Sequence, residues 1–359
     1  MLGGVLVLEL VLWMVAPLKF HEWLIWEADG HIMGHYMPGQ EVDNAAGNKV
    51  RINKYGFRGP DYTYERPPGT LRLEVFGGSC AFEYFSSADD KTWPGALEKK
   101  LRERLKMPVE VINLALPGFD NFNGKINYLC NGRAFHPNAV IVYETFNDMG
   151  SRRFRTLETT PYTAMGTAPN RPWWMRLARN TQIGRRARLM LYYVQDRALE
   201  GKYRRIEGTE EGLDRPIHPK AFAWFRKNLE DFALLTRSDD VLLILGTQAY
   251  LGSRENLEKV EVRRILSIAP DRNGMTLARI ADTYLKINEI IRDVAARTDS
   301  VFVDGYSAVP KDFDHLRDNV HLYDKGSEVL AEEFARVLLA DPRFMKIVEQ
   351  VRAEAGPGA

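Results

Sequence analysis

The chain has 359 residues, 45% of them hydrophobic and 27% charged, which excludes a disordered or low-complexity protein and allows one substantial core. A formal net charge of +1 gives no overall pull towards nucleic acid, and no such partner is expected. Cys80 and Cys130 supply neither a disulfide framework nor zinc-ligand spacing, and His21, His31, His35, His136 and His218 are scattered, so neither a metal nor a cofactor is expected.

Met1 to Leu18 is nearly all apolar, broken by Glu9 and Pro17. As a helix this run spans roughly 27 Å, close to the hydrocarbon thickness of a bilayer. Glu9 near its centre costs about 2–3 kcal/mol there, which the surrounding Leu, Val and Trp residues offset. No Lys or Arg precedes the run and no A-x-A cleavage pattern follows it. The expectation is an uncleaved membrane anchor over 1–18, with a natural start upstream and the rest of the chain outside the cytoplasm, in a periplasm or on a cell surface. A helix packed on the domain is the alternative. Residues 19–70, closed by Pro67-Pro68-Gly69, read as a connector along the domain edge.

From residue 71 strands and helices alternate. Leu71–Phe76 is a predicted strand and Trp93–Leu105 an amphipathic helix with Leu97, Leu101 and Leu105 four apart. Val109–Leu114 is a strand, followed by a helix through Ile126, Leu129 and Cys130, and Ala139–Glu144 is a strand with a continuous apolar centre. After an interruption come a helix over Phe222–Leu235, a strand over Val241–Leu245, a helix over Thr276–Ala296, a strand over Ser300–Val303 and a helix over Lys325–Leu339. The pattern predicts an α/β domain over 71–340 with a mainly parallel five-stranded sheet covered on both faces, leaving 341–359 as a C-terminal tail. In such sheets ligands bind beyond the carboxyl ends of the strands.

Residues 150–219 form the interruption. Over 151–205, twelve Arg and one Lys stand against two Glu and one Asp, interleaved with Trp173, Trp174, Met175 and the run Leu189 to Tyr193. A basic helical insertion of this kind serves as a lid, a grip on an anionic polymer or a surface on anionic lipid. An ordinary solvated insertion is equally open.

Four short blocks fall at successive strand ends. Ser79 follows the first strand through Gly77-Gly78, where glycines permit a sharp turn around a hydroxyl. Alone, it reads as a turn serine. Gly118 closes the stretch from Val111 and can offer a bare backbone N–H, though alone it reads as a plain turn glycine. Asn147 follows the third strand with an uncharged amide donor, and Asp148 beside it reads as structural. Asp318 and His321 precede the helix at 325, and a spacing of three in a turn lets the carboxylate reach Nδ1 and leaves Nε2 for a serine. Asp312 and His315 have the same spacing six residues earlier. The later pair is preferred because an apolar-periodic helix follows it. Cys80, beside Ser79, reads as a small buried packing residue, and a bridge to Cys130 stays open.

In that order the blocks Gly-Gly-Ser, Gly, Asn-Asp and Asp-x-x-His resemble the SGNH (GDSL-type) hydrolase superfamily over about residues 71–340. Asn53-Lys54-Tyr55-Gly56-Phe57-Arg58-Gly59 is similar to a lead-in of membrane-anchored bacterial members. The resemblance implies a flavodoxin-like three-layer α/β/α sandwich, no cofactor, and hydrolysis of acyl esters on sugars or lipids. It implies Ser79 as nucleophile, His321 as base, Asp318 as its orienting group, and an oxyanion hole from Ser79, Gly118 and Asn147. Gly78 replaces the Asp of the Gly-Asp-Ser form. Thr145 stands where Gly usually opens the third block, and Glu83 where Gly often follows the serine, and both are expected to reshape the pocket. The expected activity is a membrane-tethered carboxylic ester hydrolase acting on an acylated polysaccharide or glycoconjugate. An O-acyltransferase, a lipid esterase or thioesterase, and a non-catalytic polymer-binding or assembly protein are the alternatives.

Overall fold

The computed structural model describes residues 2–15, 26–27, 32, 34–43, 49–83, 85–150, 181–184, 186–187, 190, 217–266 and 275–355. The expected basic insertion therefore falls almost entirely outside the described residues. The five expected strands pair in one sheet: β1 (Leu71–Gly77), β2 (Val109–Asn113), β3 (Ala139–Tyr143), β4 (Leu242–Gly246) and β5 (Val301–Val303), in spatial order β2-β1-β3-β4-β5. Every pairing is parallel, with Leu73 opposite Val111 on one side and Ala139 on the other, Ile141 opposite Ile244, and Leu245 opposite Phe302. All residues of β1 and β3 are buried, as strands covered on both faces must be.

The covering helices follow from the same apolar spacing. α1 is Leu2–Val15, α2 is the single turn Ser79–Phe82, α3 is Trp93–Leu105, α4 is Asn121–Cys130 and α5 is Phe146–Gly150. After the insertion come α6 (Ala221–Ser238), α7 (Leu277–Thr298), α8 (Gly305–Ala308), α9 (Asp324–Ala340) and α10 (Pro342–Glu354). α3 packs on α9, while α4 and α7 pack on α6, so the sheet lies between two helical layers. Trp93 stacks on Phe334 at 4.9 Å in the seam of the first layer, and Phe76 meets Phe232 at 5.7 Å in the second. This is the three-layer α/β/α sandwich with a flavodoxin-type strand order.

One outer part differs from expectation, and two others gain definition. The segment expected as a C-terminal tail is α10, started by Asp341, whose carboxylate accepts from Arg343 and Phe344 N–H, and buried through Phe344, Val348 and Val351. The connector is not loose over its last third: Asn53 Oδ1 accepts from Tyr55 and Phe57 N–H, and Arg66 pairs with Glu354 at 2.8 Å. At the other end, α1 exposes Leu6, Leu10, Trp13 and Met14, while Glu9 accepts from the N–H groups of Gln182 and Ile183. Among the described residues no helix is long and apolar enough to cross a membrane.

Candidate active site

β1 ends at Gly77, and the chain turns at Gly78 into α2, which Ser79 opens. Gly78 has φ −93°, outside the left-handed region, and the case for glycine there is one of space. A Cβ there would lie 2.2 Å from Asn147 Nδ2 and 2.4 Å from Glu144 Oε2. The segment that closes β3 is thus packed directly against the residue before the serine. The turn carrying Gly118, at φ +83°, joins them, because Leu116 N–H donates to Gly77 O at 3.1 Å.

His321 Nε2 lies 2.8 Å from Ser79 Oγ. Its Nδ1 lies 2.8 and 3.0 Å from the two oxygens of Asp318. Asp318 Oδ1 also accepts from Val320 and His321 N–H at 3.0 and 2.9 Å, which locks the tight turn. Burial works against the Asp318 charge, yet His321 and these N–H groups hold its carboxyl below the usual carboxylate range. A bridge between Leu316 and Leu322, with Arg317 N–H donating to His321 O at 2.8 Å, folds the loop so that the second Asp–His pair is the one delivered to Ser79. Asp312 and His315 do bond to each other, Oδ1 to Nδ1 at 2.7 Å, on the exposed side of that loop. Phe85 packs edge-on to His321 at 5.2 Å and carries the Arg317 guanidinium over its face at 3.9 Å.

Asn147 Nδ2 donates to Phe119 O at 2.9 Å and, at a longer 3.2 Å, to Glu144 Oε2. Asp148 Oδ2 accepts from Asn121 N–H and from its side-chain amide, at 3.1 and 2.8 Å, so it fastens α5 to the start of α4. Ser79, Gly118, Asn147, Asp318 and His321 thus come from segments drawn to one end of the sheet. Cys80 is buried, which pushes its thiol well up, and no disulfide joins it to Cys130.

The two substitutions expected to reshape the pocket have local explanations. Thr145 is fully buried and is not among the residues with positive φ, so the block can open without glycine. Glu83 does sit at φ +60°, where glycine is the easier residue. Its carboxylate points into the seam between α3 and α9, accepting from Ser86 Oγ, Trp93 N–H and Ser327 Oγ. Burial pushes its pKa up to about 7 against those donors.

Three residues near the site escape a local reading of the sequence. Glu144, 2% exposed, accepts from Gly78, Thr145 and Asn147 N–H at 2.9, 3.0 and 2.7 Å. Burial pushes its pKa up to about 8 against these bonds, although every partner is an N–H donor and favours the anion. Gln248 Oε1 accepts from Thr145 and Phe146 N–H at 3.1 and 2.8 Å and so pins the start of α5. Arg58, almost wholly buried, donates to the Phe82 and Glu83 carbonyls that end α2, and pairs with Asp89 at 2.7 Å. An acid closing an otherwise apolar strand was the one visible signal for Glu144. Arg58 stands in the lead-in Asn53–Gly59, which marks nothing of its contacts at α2, and Gln248 gave no signal.

No family model matches the chain, and no curated protein matches it. Among solved structures it is similar to a catalytic mutant of Axe2, an acetylxylan esterase from Geobacillus stearothermophilus, at 14% identity and a TM-score of 0.43, covering 74% of this chain and 93% of that one. A lipase/acylhydrolase from Enterococcus faecalis matches at 17% identity and a TM-score of 0.44, covering 74% and 94%. LAE5, an alpha/beta hydrolase enzyme from the metagenome of Lake Arreo, Spain, matches at 15% and 0.42, covering 74% and 94%. At these identities the chemistry of this chain has to be argued from its own site.

Proposed function

We propose that the protein is a serine ester hydrolase that works through an acyl-enzyme at Ser79. The observation that carries this reading is the chain of contacts from Asp318 through His321 to the Ser79 hydroxyl, each link within 3.0 Å. In the first step Ser79 Oγ attacks the ester carbonyl carbon while its proton passes to His321 Nε2. Asp318 fixes the ring so that Nε2 faces the serine, and stabilises the imidazolium that forms. The carbonyl oxygen becomes an oxyanion within reach of the Ser79 and Gly118 N–H groups and Asn147 Nδ2. Phe119 anchors one Asn147 hydrogen, and the substrate oxygen competes for the one that makes the longer contact to Glu144. The tetrahedral adduct collapses, the alcohol leaves with the proton from His321, and water repeats the sequence to free the acid and restore the serine.

The finer reading is an acyl ester on a polysaccharide or glycoconjugate, hydrolysed outside the cytoplasm by a membrane-tethered protein. The basic excess over 151–205 supports an anionic polymer or lipid surface nearby. The exposed apolar side chains of α1 support the tether, and the bonds to Glu9 leave that carboxylate partnered. Loss of membrane sedimentation on deleting residues 1–18 is expected, and sedimentation unchanged by the deletion would remove the tether. For the chemistry, labelling with a fluorophosphonate read by intact mass should give one adduct on the wild type and none on Ser79→Ala. A folded wild type that takes no adduct would sink the hydrolase reading and leave the non-catalytic polymer-binding alternative. With an adduct in hand, products from an acetylated glycan with and without a second sugar acceptor separate hydrolysis from acyl transfer.

A further inference from the structure

The volume beside the nucleophile that a side chain at position 78 would occupy is filled from another strand. Glu144 reaches it from the end of β3, 66 residues away in sequence, and binds the Gly78 N–H through Oε2 at 2.9 Å. The same oxygen meets Asn147 Nδ2 at 3.2 Å, while Oε1 accepts from Thr145 and Asn147 N–H at 3.0 and 2.7 Å. One buried carboxylate thus holds both the peptide leading into Ser79 and the residue carrying the side-chain amide donor. All four partners are donors, so the carboxylate is neither a base for substrate nor free to leave. Glycine at 78 leaves the room that Glu144 Oε2 and Asn147 Nδ2 share, since a Cβ there would lie 2.4 Å from the first and 2.2 Å from the second.

We infer that Glu144 is a positioning residue for acyl transfer at Ser79, supplying from β3 the carboxylate that aligns the Asn147 amide and the nucleophile turn, and that Gly78 is required because this carboxylate and the amide it aligns fill its side-chain space. The inference rests on the ester-hydrolase reading above. Buried N–H groups left without an acceptor each destabilise their loop, so removal of the carboxylate should loosen the donors without touching Ser79, His321 or Asp318. A preorganised donor set contributes mainly to the transition state, so the loss should fall on kcat.

The test is a cycle of Glu144→Ala, Gly78→Asp and the two together, with Glu144→Gln as a variant of nearly unchanged shape, all assayed on p-nitrophenyl acetate. Glu144→Ala should lower kcat about a hundredfold with KM moved less than about threefold, and Glu144→Gln should lie between it and the wild type. Gly78→Asp alone should be equally impaired, because its carboxylate and that of Glu144 compete for one space. Together the two changes should restore at least about tenfold of kcat over either single variant, since a short acid at 78 enters the volume Glu144 vacates and the flexible Asn147 amide, 2.2 Å from a Cβ there, turns to donate to it. A purely structural role for Glu144 would lower thermal stability but give no such reciprocal rescue. Wild-type kcat in Glu144→Ala, or a double variant no better than the worse single one, overturns the inference. A wild type that neither turns over the ester nor takes the fluorophosphonate overturns the hydrolase reading and this inference with it. Wild-type turnover with a failed cycle overturns the inference alone.

Discussion

Asp312–His315 and Asp318–His321 are two copies of one local device. Each sets a carboxylate three residues before an imidazole in a turn, and each closes an Nδ1–carboxylate contact of nearly equal length, 2.7 and 2.8 Å. What differs is the far side of the ring. His321 Nε2 meets the Ser79 hydroxyl, 242 residues away, whereas the structure gives His315 no such contact among the described residues. The carboxylates differ too: half of the Asp312 side chain is exposed, and Asp318 keeps about a third. In a less hydrated place the same hydrogen bond is stronger, so burial adds to the orienting force that the turn alone provides. A motif therefore makes a chemical site through what the fold brings to its free end, and its internal spacing is only the first requirement.

The sharpest way to break this comparison is to remove one imidazole at a time. His321→Ala is expected to lower ester turnover by about 10,000-fold or more, and His315→Ala to leave it within about twofold. Equal losses in the two purified variants would place the chemistry elsewhere. A smaller effect separates the acids: Asp318→Asn should cost about 100- to 10,000-fold in kcat through the wrong imidazole tautomer, while Asp312→Asn leaves kcat alone. Steady-state kinetics on one substrate decides both. The smallest effect concerns the other buried acid beside the turn that bears Ser79. Glu83 has an ordinary value of 4.5 unfolded and about 7 folded, so the folded protein holds its proton more tightly. Its contribution to stability is complete below 4.5 and is lost as pH rises through about 7. Between those limits Glu83→Gln should flatten the fall of unfolding free energy by about 1 kcal/mol per pH unit relative to wild type. Urea titrations at pH 5, 6 and 7 measure it, and parallel pH profiles would show that Glu83 is ionised throughout.

Much of the architecture could be read from hydrophobic period alone. β1 and β3 announce themselves as short apolar runs, and the leucines of α3 and the long stripe of α7 mark helices that cover a sheet. The blocks around Ser79, Gly118, Asn147 and His321 were visible because each closes such a run or precedes a periodic helix. α10 carried a readable signal as well, Asp341-Pro342 followed by apolar residues at helical spacing, and it belongs to the fold although a tail was expected. The contacts that hold the site in shape were beyond reach for a physical reason. Gln248 meets Thr145 across 103 residues, and Arg58 meets Asp89 across 31. Nothing in the neighbourhood of either residue encodes its partner, since tertiary packing alone selects these pairs. Glu144 reads as a strand terminus until Gly78 is seen beside it.

Arg58 gives the connector a role that its place before the sheet conceals. Its guanidinium closes the end of the turn that bears Ser79, and Arg66, a few residues on, clasps Glu354 at the opposite terminus of the described chain. A fragment begun at Leu71 would keep all five strands and every residue assigned to the chemistry. It would nevertheless lack the cation seated under Phe82 and Glu83. Cleavage by a protease between Arg58 and Arg66 would leave the segment before the cut held to the serine turn by the Arg58 contacts to Phe82, Glu83 and Asp89 and no longer by the chain.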